Sequence, residues 1–265
     1  MNIYEWNIRM AATFPCNNGY AIQTWVVDEI LKDEPDCIVL TEFVVSKGWD
    51  YLQRELEEKN YNWFISSVTG QNGILIALKR NGMYDFSDAF SYKNKAINSS
   101  EVLSEKHAVI YHPNFYEIRI KMNKEIVSII GVRIRNAQKG AQFRALDDYL
   151  STLKHKVICV GDFNAYWADK WNSPANNTLS KTSRSYDLYT PSYKVGPDWY
   201  SFVHSNGKMV QLDHLITNIK SAHIKVKYDW EFINQNNGYN NIQKNSPQKP
   251  KGLPDHAILK AEISF

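Results

Sequence analysis

Apolar and polar residues alternate along Asn2-Ile3-Tyr4-Glu5-Trp6-Asn7-Ile8, the period of a half-buried strand. Ile22, Trp25, Val26, Glu29 and Ile30 then fall at helical spacing. They predict a helix over residues 22–33, which Pro35-Asp36 stops. The apolar run Cys37-Ile38-Val39-Leu40-Thr41 reads as a buried strand and ends in Glu42. Trp49, Leu52, Leu56 and Lys59 outline a second, amphipathic helix. Strands are expected over 61–66, 73–79, 83–90, 107–112, 115–122 and 125–132, separated by Gly, Pro-Asn and Asn-Lys turns. Phe143, Leu146, Tyr149, Leu150 and Leu153 give the span Ala141 to Leu153 the apolar face of a third helix. The run Val157-Ile158-Cys159-Val160 follows and closes on Gly161-Asp162-Phe163-Asn164. Helix, turn, buried strand and carboxylate therefore occur in that order twice, at Glu42 and at Asp162. Generic α/β construction accounts for the echo, and so does a sheet-on-sheet pseudo-repeat.

Composition narrows the class without deciding it. A chain of 265 residues suits one large domain or two small ones, and no compositional break marks a linker, so one domain over 1–265 is expected. No apolar stretch approaches the roughly 20 residues of a membrane span. The N-terminus also lacks the basic start and long apolar core of a signal peptide. Three widely spaced cysteines, two of them inside apolar runs, suit buried thiols in a reducing, cytoplasmic setting and offer no metal-binding cluster. A net charge of +3 permits a polyanionic substrate without demanding one. Aromatic residues make up 13% of the chain; most suit core packing, and any exposed ring is available for stacking on bases. The stretch Asn234 to Gly252, rich in Asn, Gln, Lys and Pro, reads as a long excursion between two strands.

The candidate chemistry lies at the strand ends. Asn7, Glu42, Asp162, Asn164, Asp213, Asp255 and His256 each border an apolar segment. A hard ion such as Mg²⁺ takes one or two carboxylates, together with water and substrate phosphate. Glu42 and Asp255 can supply the carboxylates, and Asp162 can activate a water. Asn7 and Asn164 can hold phosphate or water without adding charge. His256 can donate to phosphate if a neighbouring Asp213 keeps it protonated. His214 reads as packing.

Trp6-Asn7-Ile8, Thr41-Glu42, Gly161-Asp162-Phe163-Asn164, Leu212-Asp213-His214 and Asp255-His256 together resemble the ordered motifs of the endonuclease/exonuclease/phosphatase superfamily. The resemblance runs from residue 6 to residue 256. It implies an α/β fold, a two-layer β-sandwich flanked by helices in four layers (α/β/β/α), with the site at one rim. It also implies Mg²⁺ or Mn²⁺ held by Glu42, Asn7 and Asp255. Asp162, Asn164, Asp213 and His256 then act on the phosphate. Pro254 replaces the Ser that usually precedes the last Asp-His. In Gly131-Val132-Arg133-Ile134-Arg135-Asn136, Arg133 stands where relatives place His or Tyr facing the scissile phosphate. Arg133 can contact phosphate bidentately or pair with a site carboxylate. Arg135, Asn136 and Trp167 are further candidates for substrate contact. Lys79, Arg80, Lys139 and Arg144 read as solvated surface.

The resemblance implies metal-dependent phosphodiester hydrolysis by in-line attack of an activated water. A nuclease acting on DNA or RNA is expected, working as a monomer without an obligate protein partner or a membrane. Two alternatives stay open: a phosphatase or phosphodiesterase of a small phosphoester, and a catalytically silent binding module using the 234–252 segment.

Overall fold

The computed structural model describes residues 1–8, 22–45, 48–66, 73–80, 95–97, 115–122, 124–135, 139–165, 186–192, 194–204, 206–220, 223–232 and 254–264. The opening strand β1 (Asn2–Asn7) leads to helix α1 (Thr24–Leu31), β2 (Cys37–Phe43), α2 (Trp49–Glu58), β3 (Tyr61–Ile65) and β4 (Gly73–Lys79). Strands β5 (Lys95–Ile97), β6 (Phe115–Met122) and β7 (Glu125–Arg133) precede α3 (Lys139–Thr152) and β8 (Lys156–Asp162). The chain continues with β9 (Asp187–Tyr189), β10 (Phe202–Val203), β11 (Met209–Val210), β12 (Asp213–Thr217), β13 (His223–Asp229) and β14 (Ile258–Ser264).

These strands build two six-stranded sheets, in the orders β13-β14-β1-β2-β4-β3 and β5-β6-β7-β8-β12-β9, with β10-β11 as a separate hairpin. Each sheet holds one parallel pair joined through a helix: β1 with β2 through α1, and β7 with β8 through α3. The motif met twice in the sequence thus sits once in each sheet. The inner faces pack Ile3, Val39, Ile74 and Ile76 against Ile118, Ile129 and Val160 in one apolar cluster. At Gly131 the sheets come close enough that a Cβ would stand 2.6 Å from Ile74 Cγ2 and 3.1 Å from Val39 Cγ1. Outside, α3 lays Phe143, Leu146 and Leu150 over Ile130, Val132 and Cys159. On the other side Trp6 meets Trp25 of α1 at 6.2 Å and Phe232 at 4.8 Å between ring centroids. Helix, sheet, sheet and helix form the four expected layers.

The helix expected over 22–33 is shorter, Thr24–Leu31, and the one expected over 141–153 starts earlier, at Lys139. Strand β7 runs on to Arg133, because Arg133 pairs in register with Asp162. The expected strands 83–90 and 107–112 lie outside the described residues, as does the 234–252 segment. Strand β13 was not anticipated, although Ile224, Val226 and Tyr228 alternate with Lys225 and Lys227. Those two lysines are exposed on an edge strand, where charge discourages pairing with another chain. Among the described residues no helix is long and apolar enough to cross a membrane.

Candidate active site

Sheet order explains how distant segments meet. In one sheet β14, β1 and β2 are neighbours, which brings His256, Asn7 and Glu42 side by side along one rim. In the other, β12, β8 and β7 are neighbours; Asp213 and Arg133 each pair in register with Asp162. The two rims face each other and three polar pairs cross between them like rungs. His256 Nδ1 lies 2.8 Å from Asp213 Oδ2 and 3.1 Å from Oδ1. Asn7 Nδ2 donates to Asp162 Oδ2 at 2.9 Å. Arg133 donates from Nη2 and Nε to Glu42 Oε1 at 2.8 and 3.2 Å.

The local conformation of each rim follows from residue type. Gly161 lies opposite Val132, and a Cβ there would sit 2.0 Å from the Val132 carbonyl oxygen, so only glycine lets β8 run this close to β7. Asp162 Oδ1 then accepts the Asn164 backbone N–H at 2.8 Å, the short loop by which Asp starts a turn. Asn164 adopts φ 50°, a left-handed conformation that asparagine tolerates better than most residues. Its amide donates to Ile134 O at 2.7 Å and to Asp162 Oδ2 at 3.0 Å. Phe163 points the other way and stacks near Phe143, fixing the turn to the outer core. Glu42 has φ 53° and occupies a β-bulge, where the register with β4 slips between Thr41 and Phe43. Bulges re-aim side chains, and a non-glycine residue held in this region costs on the order of 1–3 kcal/mol. The strain is offset by the surrounding sheet and turns the carboxylate towards Arg133.

Burial dominates the electrostatics. Desolvation raises the Asp162 carboxyl well above the usual range; the His256 charge opposes the shift while Asp213 and Glu42 reinforce it. Burial by itself would lower the His256 pKa, but Asp213, with Asp162 and Asp255 beside it, raises it to about 10. His256 is therefore an imidazolium at neutral pH. Its folded-state value exceeds the ordinary 6.5, so its contribution to stability is complete below about pH 6.5 and is lost as pH rises through about 10. Asp213→Asn is expected to bring His256 below 6.5, as read from an NMR titration of the imidazole. A value that stayed near 10 would transfer the effect to Asp162 and Asp255.

The sequence-predicted residues distribute as follows. Asn7, Asp162 and Asn164 form one hydrogen-bonded group and Asp213 with His256 a second, while Glu42 pairs with Arg133 on the strand beside Asp162. Asp255 is buried directly before His256, and its charge acts on that ring. Arg135 is half-buried beyond Arg133, its Nε without a hydrogen-bond partner among the described residues. Asn136 and Trp167 lie outside the described residues. His214 is buried against Phe163, its Nε2 3.0 Å from Ala165 O, in keeping with a packing role. Lys139 departs from the surface reading: burial lowers its pKa while the nearby Asp162 charge works to raise it.

Three contributors went unnoticed in the sequence. Glu5 is fully buried beneath the rungs, takes a hydrogen bond from Thr41 at 3.1 Å, and leaves Oε2 without a hydrogen-bond partner among the described residues. Burial, then the Asp213 and Asp162 charges, hold its pKa far above the ordinary value. Strand alternation puts Glu5 on the same face as Asn7, a signal that was available. Ser201 Oγ receives the N–H groups of Leu212 and Asp213 at 2.8 and 3.1 Å. Tyr228 OH donates to Asp213 O at 2.6 Å, so two distant side chains set the start of β12.

Two donor sets compete as metal sites. Ligand atoms of Asp162, Asp213 and His256 lie within 4.8 Å of one another. Both Asp213 oxygens already face His256 Nδ1, and Asp162 Oδ2 already accepts two amide bonds. Those three oxygens are already engaged in hydrogen bonds. Glu42, by contrast, accepts both Arg133 bonds on Oε1, which leaves Oε2 available among the described residues. Asn7 commits Nδ2 to Asp162, which turns Oδ1 away from it. Glu42, Asn7 and Asp255, the expected ligands, offer oxygen donors, the type a hard divalent ion takes.

No protein-family model matches the chain, and no curated protein matches its sequence. Solved structures do match. Truncated TDP2 from Caenorhabditis elegans is 15% identical, with a TM-score of 0.63 over 100% of this chain and 97% of that one. An AP endonuclease from Archaeoglobus fulgidus is 14% identical, with a TM-score of 0.62 over the full length of both chains. The 3′ phosphatase NExo from Neisseria, bound to a product DNA hairpin, is 17% identical with a TM-score of 0.60, again over both full lengths. The chain has the two-sheet α/β sandwich fold of these structures.

Proposed function

We propose that the chain is a Mg²⁺- or Mn²⁺-dependent phosphodiesterase acting on nucleic acid. The observation that carries this is the ladder of cross-sheet pairs, in which a buried carboxyl and a buried imidazolium stand beside a strained, partly exposed glutamate. The AP endonuclease and the DNA-bound 3′ phosphatase among the similar structures support a nucleic-acid substrate. Buried free thiols at Cys37 and Cys159 suit a cytoplasmic setting.

Each rung has a part. Glu42, Asn7 and Asp255 would hold the ion, which when bound polarises a phosphoryl oxygen and offsets negative charge as it develops. Asp162 keeps one lone pair on Oδ1 beyond its bond from Asn164, and this site takes the proton of the attacking water. Asn7 and Asn164 fix the Asp162 carboxylate; both Asn164 amide bonds turn inward, so holding Asp162 is its main task. The His256 imidazolium, oriented by Asp213, stabilises the charge gathering on the phosphoryl oxygens. Arg135 and Lys139 add positive charge to the cleft wall.

The test is hydrolysis of single- and double-stranded DNA, an abasic duplex, RNA, bis-p-nitrophenyl phosphate and inositol phosphates, with Mg²⁺ or Mn²⁺. Polynucleotide cleavage abolished by chelation is the expected result. Turnover confined to small esters would shift the substrate class, and silence throughout would overturn the hydrolase assignment.

A further inference from the structure

The three rungs differ in exposure. The His256 and Asp213 side chains are 6% and 0% exposed, whereas those of Arg133 and Glu42 are 14% and 15% exposed. Solvent reaches the ladder at the Arg133–Glu42 rung. Here the guanidinium does not grip the carboxylate fork to fork, because both its bonds fall on Oε1. Both backbones are held in place, so any separation has to come from the side chains. Glu42 is held at φ 53° in its bulge, and Arg133 is fixed by its register with Asp162 at the end of β7. Arg135, two residues on, adds a second positive charge near the first.

A glutamate that ligates a divalent ion while bonded to a guanidinium serves two cations at once. Arginine keeps its charge at any ordinary pH, so the repulsion is relieved only if the guanidinium turns elsewhere. A phosphoryl group, with oxygens spaced for bidentate contact, is the natural alternative partner. We propose that Arg133 competes with the divalent ion for Glu42, and that an oxyanion in the cleft relieves this competition by drawing the guanidinium away. Metal binding and phosphoester binding are then coupled through one arginine. By linkage the coupling is reciprocal, so the oxyanion tightens the ion and the ion tightens the oxyanion. The proposal rests on the assignment of Glu42 as a metal ligand.

Calorimetric titration of Mn²⁺ tests it without any turnover. The proteins are wild type, Arg133→Gln, Arg133→Lys and Glu42→Gln, each with sulfate as an unreactive oxyanion or with chloride at matched ionic strength. Arg133→Gln is expected to bind Mn²⁺ about ten-fold more tightly than wild type, within the usual range of coupling strengths. Arg133→Lys keeps the charge and is expected to stay within about three-fold of wild type. Sulfate is expected to tighten Mn²⁺ at least about five-fold in wild type and by less than half that factor in Arg133→Gln. Circular dichroism checks the fold; Arg133→Met, also neutral, replaces the glutamine variant if that one misfolds. Mn²⁺ binding that Glu42→Gln abolishes but Arg133→Gln leaves unchanged or weakens would overturn the competition alone. Absence of Mn²⁺ binding in both wild type and Arg133→Gln would overturn the metal assignment and the competition with it.

Discussion

Asp162→Asn is expected to lower kcat/KM for metal-dependent phosphodiester cleavage by about 10³- to 10⁴-fold while the fold persists, the span that a general base contributes. The amide cannot take a proton, yet its oxygen still accepts the bonds from Asn7 Nδ2 and Asn164 Nδ2. Its NH₂ group would face the Asn164 backbone N–H, losing one hydrogen bond of about 0.5–1.5 kcal/mol. Removing a carboxylate whose ionisation burial disfavours works in the opposite direction, so little net change in stability is expected. The pH profile supplies a second check. Only the ionised carboxyl accepts a proton, so the wild-type rate climbs with pH through the raised Asp162 value, and the variant loses this limb. Steady-state kinetics on bis-p-nitrophenyl phosphate decide the matter. A variant keeping a tenth or more of the wild-type rate would remove Asp162 from the role of base.

Gly161→Ala is expected to destabilise the protein by about 4 kcal/mol or more, the range reserved for named structural faults. Its new methyl group would stand 2.0 Å from the Val132 carbonyl oxygen and 2.8 Å from the Val132 nitrogen. Both atoms belong to the backbone of the neighbouring strand and cannot swing aside as a side chain can. Relief requires β7 and β8 to separate just where Arg133 and Asp162 are in register. The melting temperature should therefore fall by on the order of 10 °C, and activity should fall with it. Gly196→Ala is the matched control, with φ 76° but nothing within 4 Å of the added carbon. It carries only the left-handed strain of about 1–2 kcal/mol. Equal losses in the two variants would show that crowding at Gly161 is not the cause.

Most of the site was visible along the chain because its polar residues interrupt apolar runs. Val157 to Val160 cannot remain a buried strand through Asp162, so the carboxylate has to fall at a rim. The same argument placed Glu42. What stayed hidden depended on contacts between segments far apart in sequence. Arg133 had two partners open to it, phosphate or carboxylate, and its pairing with Glu42 crosses 91 residues. Ser201 and Tyr228 look like ordinary residues until β12 is seen to begin between them. Lys139 passed for surface because a helix pattern does not reveal which end lies near Asp162.

The sequence by itself determined the strand ends that bear chemistry and the ordered motifs, since periodicity and turn chemistry are local; the layer class followed from the resemblance those motifs carry. Tertiary structure alone decided three things. The strand orders β14-β1-β2 and β12-β8-β7 set which rim residues face each other. The bulge at Glu42 aims its carboxylate at Arg133, and burial between the sheets makes Asp162 a weak acid, while the Asp213 carboxylate keeps His256 charged against that same burial. All three depend on contacts between segments distant in sequence, within one sheet or between the two. No stretch of one chain segment contains the desolvation, or the opposing charge, that the other sheet supplies.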